Sequence, residues 1–243
     1  MLELEKNIKG LSILELIVVL TIVGIISAVA YPNFSSWTKE RAVRAGATKV
    51  QSFMKNIHSQ TERGTFAYVQ VLIDNDANRL RLTSKGMTMA DLATLINDGD
   101  SSWNTSPEGR CDILADNYWS TDEAEDDDDI KNFVYTISLE DVTTNFEGEA
   151  AVCFARNGKF FEATNMLDSG NSVPFQYIYI CRRVSGAGAC AVASADAINK
   201  EDPTDLMPYL RSVNFGRFGN FSISKYNSET DDGGNFIGGT WID

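Results

Sequence analysis

Leu11 to Ala30 (LSILELIVVLTIVGIISAVA) is an almost unbroken hydrocarbon run whose single charge is Glu15. Coiled as an α-helix, a run of this length measures roughly 30 Å, the thickness of a bilayer's apolar core. A carboxylate inside such a helix costs at least ~2.5 kcal/mol on insertion scales, which makes Glu15 a functional candidate. The ten residues ahead of the run, MLELEKNIKG, are mostly polar and end in Lys9-Gly10. A secretory signal peptide carries its cleavage site after the apolar stretch. Here the candidate cut lies before it, between Gly10 and Leu11.

The helical pattern continues past the apolar run. Tyr31-Pro32 follows it, and proline in a helix interior removes a hydrogen bond and kinks the axis. Val43, Ala47, Val50, Met54 and Ile57 then recur at steps of four and three, one stripe of a helix, with Lys39, Glu40, Arg44, Lys49 and Lys55 off it. Gly64 supplies a left-handed stop. The pattern predicts a helix from Leu11 to Arg63, bent near Pro32, with a packing stripe on its second half. His58 lies beside that stripe and reads as a solvated side chain or a packing edge. Gly24 and Pro32 are the weakest helix formers in the first half and mark a segment of local weakness.

After Gly64 the chemistry changes to aromatic and β-branched residues. Thr65–Ile73 and Asn78–Thr83 read as a hairpin around Asp74-Asn75-Asp76-Ala77, and Met89–Ile96 as a short helix. Further strands are expected at Phe133–Leu139, Ala150–Ala155, Lys159–Ala163, Phe175–Arg182, Leu210–Phe215 and Asn220–Lys225, with tight turns at Asn157-Gly158 and Arg217-Phe218-Gly219. About eight short strands joined by turns predict a β-sandwich or two small sheets wrapped on the helix. The fold class is therefore α+β: a long N-terminal helix, half transmembrane and half amphipathic, packed on a C-terminal β-sandwich-like head. The expected division is residues 1–10, a leader; 11–63, the helix, with 11–30 in the membrane; and 64–243, the head.

The chain carries a formal charge of −13. Such acidity argues against coating nucleic acid or anionic surfaces. Its four cysteines, Cys111, Cys153, Cys181 and Cys190, form no CxxC pair, and there is one histidine; a structural zinc site is not expected on that ground. In an oxidising compartment two disulfides are expected. Cys181 and Cys190 flank a short glycine-rich loop, which leaves Cys111 to pair with Cys153. Four cysteines allow three connectivities.

Gly10, the run Leu11-Ser12-Ile13-Leu14-Glu15-Leu16-Ile17-Val18-Val19-Leu20, Gly24 and Pro32 together resemble the leader of type IV prepilins and type II secretion pseudopilins. The resemblance implies that a membrane peptidase cuts after Gly10 and methylates the new amine. It also implies that Glu15 serves assembly, its carboxylate meeting the amine of a neighbouring subunit. The family usually has Phe after the cut, where this chain has Leu11. Within the superfamily the head looks most like the group of the secretion pseudopilin GspH and the minor pilins FimT and FimU. That likeness lies in Cys153-Phe154-Ala155-Arg156-Asn157-Gly158-Lys159, in Phe175–Cys181 and in Arg211–Ile223. The chain exceeds typical members by insertions at 97–131 and 191–208. The implied partners are other major and minor pilins or pseudopilins, the prepilin peptidase, the inner membrane and its assembly platform. The implied location is the bacterial inner membrane, with a periplasmic head, and then the filament.

Other features carry less. Thr121–Asp129 concentrates carboxylates that could hold Ca²⁺, but without EF-hand spacing; a solvated acidic loop is the expectation. Asp231-Asp232-Gly233-Gly234-Asn235 is a second, weaker candidate. Arg182-Arg183 could touch phosphate, although pairing with a carboxylate is the expected role, and no nucleic-acid partner is expected. Gly186-Ala187-Gly188-Ala189 reads as a loop tip. No GxSxG, HExxH or phosphate loop is present, so neither an enzyme nor a cofactor is expected. The reading is a minor pilin of a type IV pilus. A minor pseudopilin of a type II secretion system is the alternative, and a pilus-borne adhesin or DNA-uptake receptor a further one.

Overall fold

The computed structural model describes residues 12–76, 78–98, 105–106, 110–111, 135–145, 148–157, 160–162, 177–183, 190, 209–216, 219–230 and 236–242. Two compact units are present, Met1–Glu40 and Arg41–Asp243. One helix, α1 (Ile13–Glu62), begins in the first unit and ends in the second, and its backbone is helical through both Gly24 and Pro32.

In the second unit the predicted stripe is the centre of the core. Val43, Ala47, Val50, Met54 and Ile57 are all buried, and Phe53 joins them from the next position round the helix. Fully burying side chains of this size contributes about 1.5–3 kcal/mol each. The helix ends at Gly64, whose φ is +75°. There the Gly64 N–H donates to the Thr61 carbonyl (3.0 Å) and the Thr65 N–H to that of Gln60 (3.2 Å). These two bonds form a Schellman cap, which a residue without Cβ makes cheaply.

Ten strands occur among the described residues: β1 (Tyr68–Asn75), β2 (Leu80–Met87), β3 (Tyr135–Leu139), β4 (Val142–Thr144), β5 (Gly148–Ala155), β6 (Phe160–Glu162), β7 (Tyr177–Arg182), β8 (Arg211–Phe215), β9 (Phe221–Thr230) and β10 (Phe236–Ile242). They form two antiparallel sheets, ordered β3-β2-β1-β5-β6 and β10-β9-β8-β7-β4. The expected pair of small sheets on a helix is what the chain builds.

Both sheets turn one face to the α1 stripe. Val71 and Ile73 of β1, Leu80 and Leu82 of β2, and Val152 and Phe154 of β5 contribute from the first sheet. Ile178 and Ile180 of β7 and Val213 and Phe215 of β8 contribute from the second. Strand side chains alternate between faces, so intervening residues build a smaller core on the far side of each sheet. Behind the first sheet, Cys153, Ala155, Tyr68 and Met87 meet Leu92 of α2 (Met89–Asn97). Behind the second, Tyr179, Cys181, Leu210 and Tyr226 cluster, with Trp241 stacked on Tyr179 at 5.4 Å between ring centroids. Each satellite core holds a disulfide, Cys111–Cys153 behind the first sheet and Cys181–Cys190 behind the second.

The short helix is where the pattern placed it. Thr88 caps α2 in a reciprocal box: Thr88 Oγ1 accepts from the Asp91 N–H (3.2 Å), and Asp91 Oδ2 accepts from the Thr88 N–H (3.2 Å).

Three sequence readings need correction. The first hairpin turns two residues later than expected, because Asp74 and Asn75 belong to β1, opposite Arg81 and Leu80. Asp74 Oδ2 and Arg81 Nη2, at 2.6 Å, hold the first of these two pairs. The turn itself is made by Asp76, whose Oδ1 accepts from the N–H groups of Asn78 (2.6 Å) and Arg79 (2.8 Å). Strand β9 runs on to Thr230, and β4 and β10 were not anticipated: one is only three residues long, and the other contains Gly238-Gly239, which breaks a strand pattern. His58 takes the second of its two expected roles, a packing edge. It is buried, with its ring edge-on to Phe154 (6.1 Å) and Phe221 (5.7 Å).

Candidate processing and assembly site

Gly10 and Leu11 lie outside the described residues, as does the acidic run Thr121–Asp129, and so do Asp231–Asn235 and Gly186–Ala189. Of the two insertions, only Asn97, Asp98, Thr105, Ser106, Arg110 and Cys111 are described. Among the described residues no group of three or more His, Cys, Asp or Glu side chains is placed to hold a metal ion.

The described site begins at Ser12. Its Oγ accepts from the Leu14 N–H (3.3 Å), and its carbonyl accepts from the Leu16 N–H (3.1 Å). Ser12 is therefore the N-cap of α1, and Glu15 falls three residues on, in the first helical turn. Ser-x-x-Glu is the spacing of a capping box, and a carboxylate in the first turn is favoured by the helix dipole. Sequence reasoning weighed Glu15 as a charge in lipid and did not draw on its place in the first turn, three residues after the N-cap Ser12.

Among the described residues nothing covers the apolar side chains after Glu15. From Ile13 to Ile26 the large hydrophobic residues are between 50% and 79% exposed. Thr21 bonds back along the helix, its Oγ1 donating to the Ile17 carbonyl (2.8 Å), so even this hydroxyl presents no free donor to its surroundings. Side chains are described continuously only from Ser12 to Ser27, then at Phe34 and from Trp37 onward. Among the described residues no helix is long and apolar enough to cross a membrane. Phe34 and Trp37, one turn apart, pair their rings at 5.7 Å. The sequence reading did not single out Trp37; its spacing of three from Phe34, just past the apolar run, was the available signal.

The paired arginines separate in the structure. Arg182 closes β7. Arg183 turns inward and spends its guanidinium on oxygens of the fold: Nη1 donates to the Asp76 carbonyl (2.6 Å), Nη2 to the Val142 carbonyl (2.9 Å) and Asn75 Oδ1 (3.3 Å), and Nε to the Glu140 carbonyl (3.2 Å). Burial lowers the pKa of Arg183 and the nearby Asp76 carboxylate raises it. The Asp76 carboxyl is held below its ordinary value, chiefly by the backbone N–H groups of Asn78 and Arg79. Arg183 was expected to pair with a carboxylate; its hydrogen-bond partners are carbonyl and amide oxygens instead, because the ends of β1 and β4 leave those acceptors open beside it.

No curated protein and no solved structure matches the chain. A long N-terminal helix packed on antiparallel sheets is a pilin-like α+β arrangement. Residues 6–31 match the prokaryotic N-terminal methylation motif, so this chain carries the processing signal typical of type IV pilins and pseudopilins.

Proposed function

We propose that the chain is a minor pilin, cut by a prepilin peptidase between Gly10 and Leu11 and built through its N-terminal helix into the initiating or tip complex of a type IV pilus. One conjunction carries the reading. The methylation motif at 6–31 covers the start of a helix whose apolar side chains from Ile13 to Ile26 are exposed in the single chain, while the second half of the same helix is the core of the head. A surface of that kind requires a lipid or protein environment. In this reading residues 1–10 are the leader, 11–30 insert into the inner membrane, and 64–243 form a periplasmic head. The partners are the other pilins and the assembly platform. Membership of the GspH, FimT and FimU group rests on the head segments named above.

A type II pseudopilin shares the motif and the architecture; pilus number and secretion, assayed in one deletion strain, separate the two. A DNA receptor working through Arg182-Arg183 is disfavoured, since Arg183 is engaged with the ends of both sheets.

The test has two parts. Coexpressed with a prepilin peptidase, the protein should yield a mature chain starting at a methylated Leu11 by mass spectrometry. A chain still beginning at Met1, or cut after Ala28 or Ala30, overturns the assignment. Glu15→Gln and Glu15→Leu should then insert and be processed normally, yet fail to copurify with the other pilins. Glutamine keeps the size and polarity of the side chain and leucine does not, so failure of both variants locates the defect in the lost charge. An unpaired charge in such a contact costs about 3–5 kcal/mol. Unchanged incorporation of both would show that Glu15 is not the assembly contact.

A further inference from the structure

Phe34 and Trp37 are 64% and 53% exposed and face each other on one side of α1. They come just after the apolar run, whose described side chains are exposed on every side of the helix. A protein groove covers one stripe of a helix. A helix apolar all round calls for a medium that surrounds it, and the hydrocarbon of a bilayer is that medium. Tryptophan prefers the boundary of that medium, where the ring is in contact with the acyl chains and the indole N–H reaches polar groups.

Spacing supplies the second observation. Glu15 and Trp37 stand 22 residues apart on a continuous helical backbone. At 1.5 Å per residue this is about 33 Å, close to the ~30 Å depth of the hydrocarbon core. With the Trp37 indole in one headgroup layer, the Glu15 carboxylate therefore reaches the opposite one and remains hydrated, which removes most of the penalty for a charge in lipid.

The geometry points to Phe34 and Trp37 as an interfacial anchor that binds the phospholipid headgroup layer and fixes the depth of α1 so that Glu15 waits at the far surface before assembly. This rests on the membrane-inserted reading above and shifts its span toward the head, from residues 11–30 to the stretch between Glu15 and Trp37. Trp37 belongs to the unit Met1–Glu40 and not to Arg41–Asp243.

The experiment uses the full chain in phosphatidylethanolamine–phosphatidylglycerol vesicles. Flotation first establishes that the protein is in the membrane. The emission of wild type minus that of Trp37→Leu then isolates Trp37 from the other tryptophans. This difference signal should be quenched about twofold more by lipids brominated near the headgroup than by lipids brominated near the chain ends. Aqueous iodide should have little effect on it. If the chain floats but the Trp37 signal is quenched by iodide and not by brominated lipid, the anchor is wrong and the membrane reading survives. Stronger quenching by the deep bromines places the ring in hydrocarbon and overturns the assigned depth. Failure to float overturns the membrane reading, and the anchor with it.

Discussion

Arg183 Nη1 donates to the carbonyl oxygen of Asp76 at 2.6 Å, across 107 positions of sequence. Arg183 follows β7 of the second sheet and Asp76 follows β1 of the first, so this bond joins the ends of the two sheets that share α1. Three more bonds from the same guanidinium, to Val142, Asn75 and Glu140, make it a clamp rather than a single contact.

Arg183→Lys should accordingly be nearly as damaging as Arg183→Met. An ammonium is a point donor and cannot span the fork, and removing the fork leaves part-buried carbonyls unpaired. The expected loss is about 2–3 kcal/mol for either variant, which for a unit of this size lowers Tm by roughly 4–12 °C. Urea unfolding of the soluble head would measure it. A lysine variant as stable as wild type would mean that charge alone, and not the fork, holds the sheets.

Asp76 should make the stability of the head depend on pH at the acid end. Its folded-state pKa is held below the ordinary 3.8 by the backbone N–H groups of Asn78 and Arg79. Between the two values the unfolded chain binds more protons than the folded one, so stability rises with pH across that window. The advantage of wild type over Asp76→Asn should be complete above pH 3.8 and fade as the pH falls through the folded pKa. Parallel melts at several acid pH values would show it. A difference that does not change with pH would assign the turn to hydrogen-bond geometry alone.

Gly219→Ala should destabilise the head through its contact with His58. Gly219 has φ +72°, and a Cβ there would overlap the imidazole, at 2.6 Å from Nδ1 and 2.9 Å from Nε2. The left-handed backbone costs an alanine about 1–2 kcal/mol, and the overlap adds to this. Replacing His58 with alanine as well removes the overlap but not the backbone term. The double variant should therefore be more stable than the sum of the two single losses predicts, by a coupling of about 0.5–3 kcal/mol in a double-mutant cycle. Additive losses would show that the ring moves aside freely.

The two disulfides should contribute unequally. Cys111–Cys153 closes a separation of 42 residues and Cys181–Cys190 one of 9. The chain-entropy relation gives roughly 4 kcal/mol for the longer loop and roughly 2.5 for the shorter. Paired serine substitutions, one bridge at a time, should lower stability in that order. Peptide mapping without reduction checks the pairing; free thiols at all four positions would contradict it.

What could be read in the chain beforehand was what repeats at short range. The stripe Val43, Ala47, Val50, Met54 and Ile57 is visible because a helix returns to the same face every three or four residues, and a residue's burial there follows from its position alone. The stop at Gly64, the helix Met89–Ile96 and most strands are legible for the same reason. So is the N-terminal motif, whose glycine, glutamate and apolar run lie within one short segment.

The roles of Arg183, His58 and Gly219 were not legible, because each depends on what lies opposite. Arg183 read as a partner for a carboxylate, and only the fold brings the oxygens of Asp76, Asn75 and Val142 to its guanidinium. His58 looked like the edge of a stripe, but Phe154 of one sheet and Phe221 of the other close over it. β4 and β10 carry too little pattern to stand out alone, and exist as strands because β7 and β9 offer them free edges to pair with. The sequence by itself determined the processing signal, the two-part helix and the α+β class, all properties of neighbouring residues. The tertiary structure alone decided which polar side chains hold the two sheets together, since hydrogen bonds between residues a hundred positions apart leave no periodic trace in the chain.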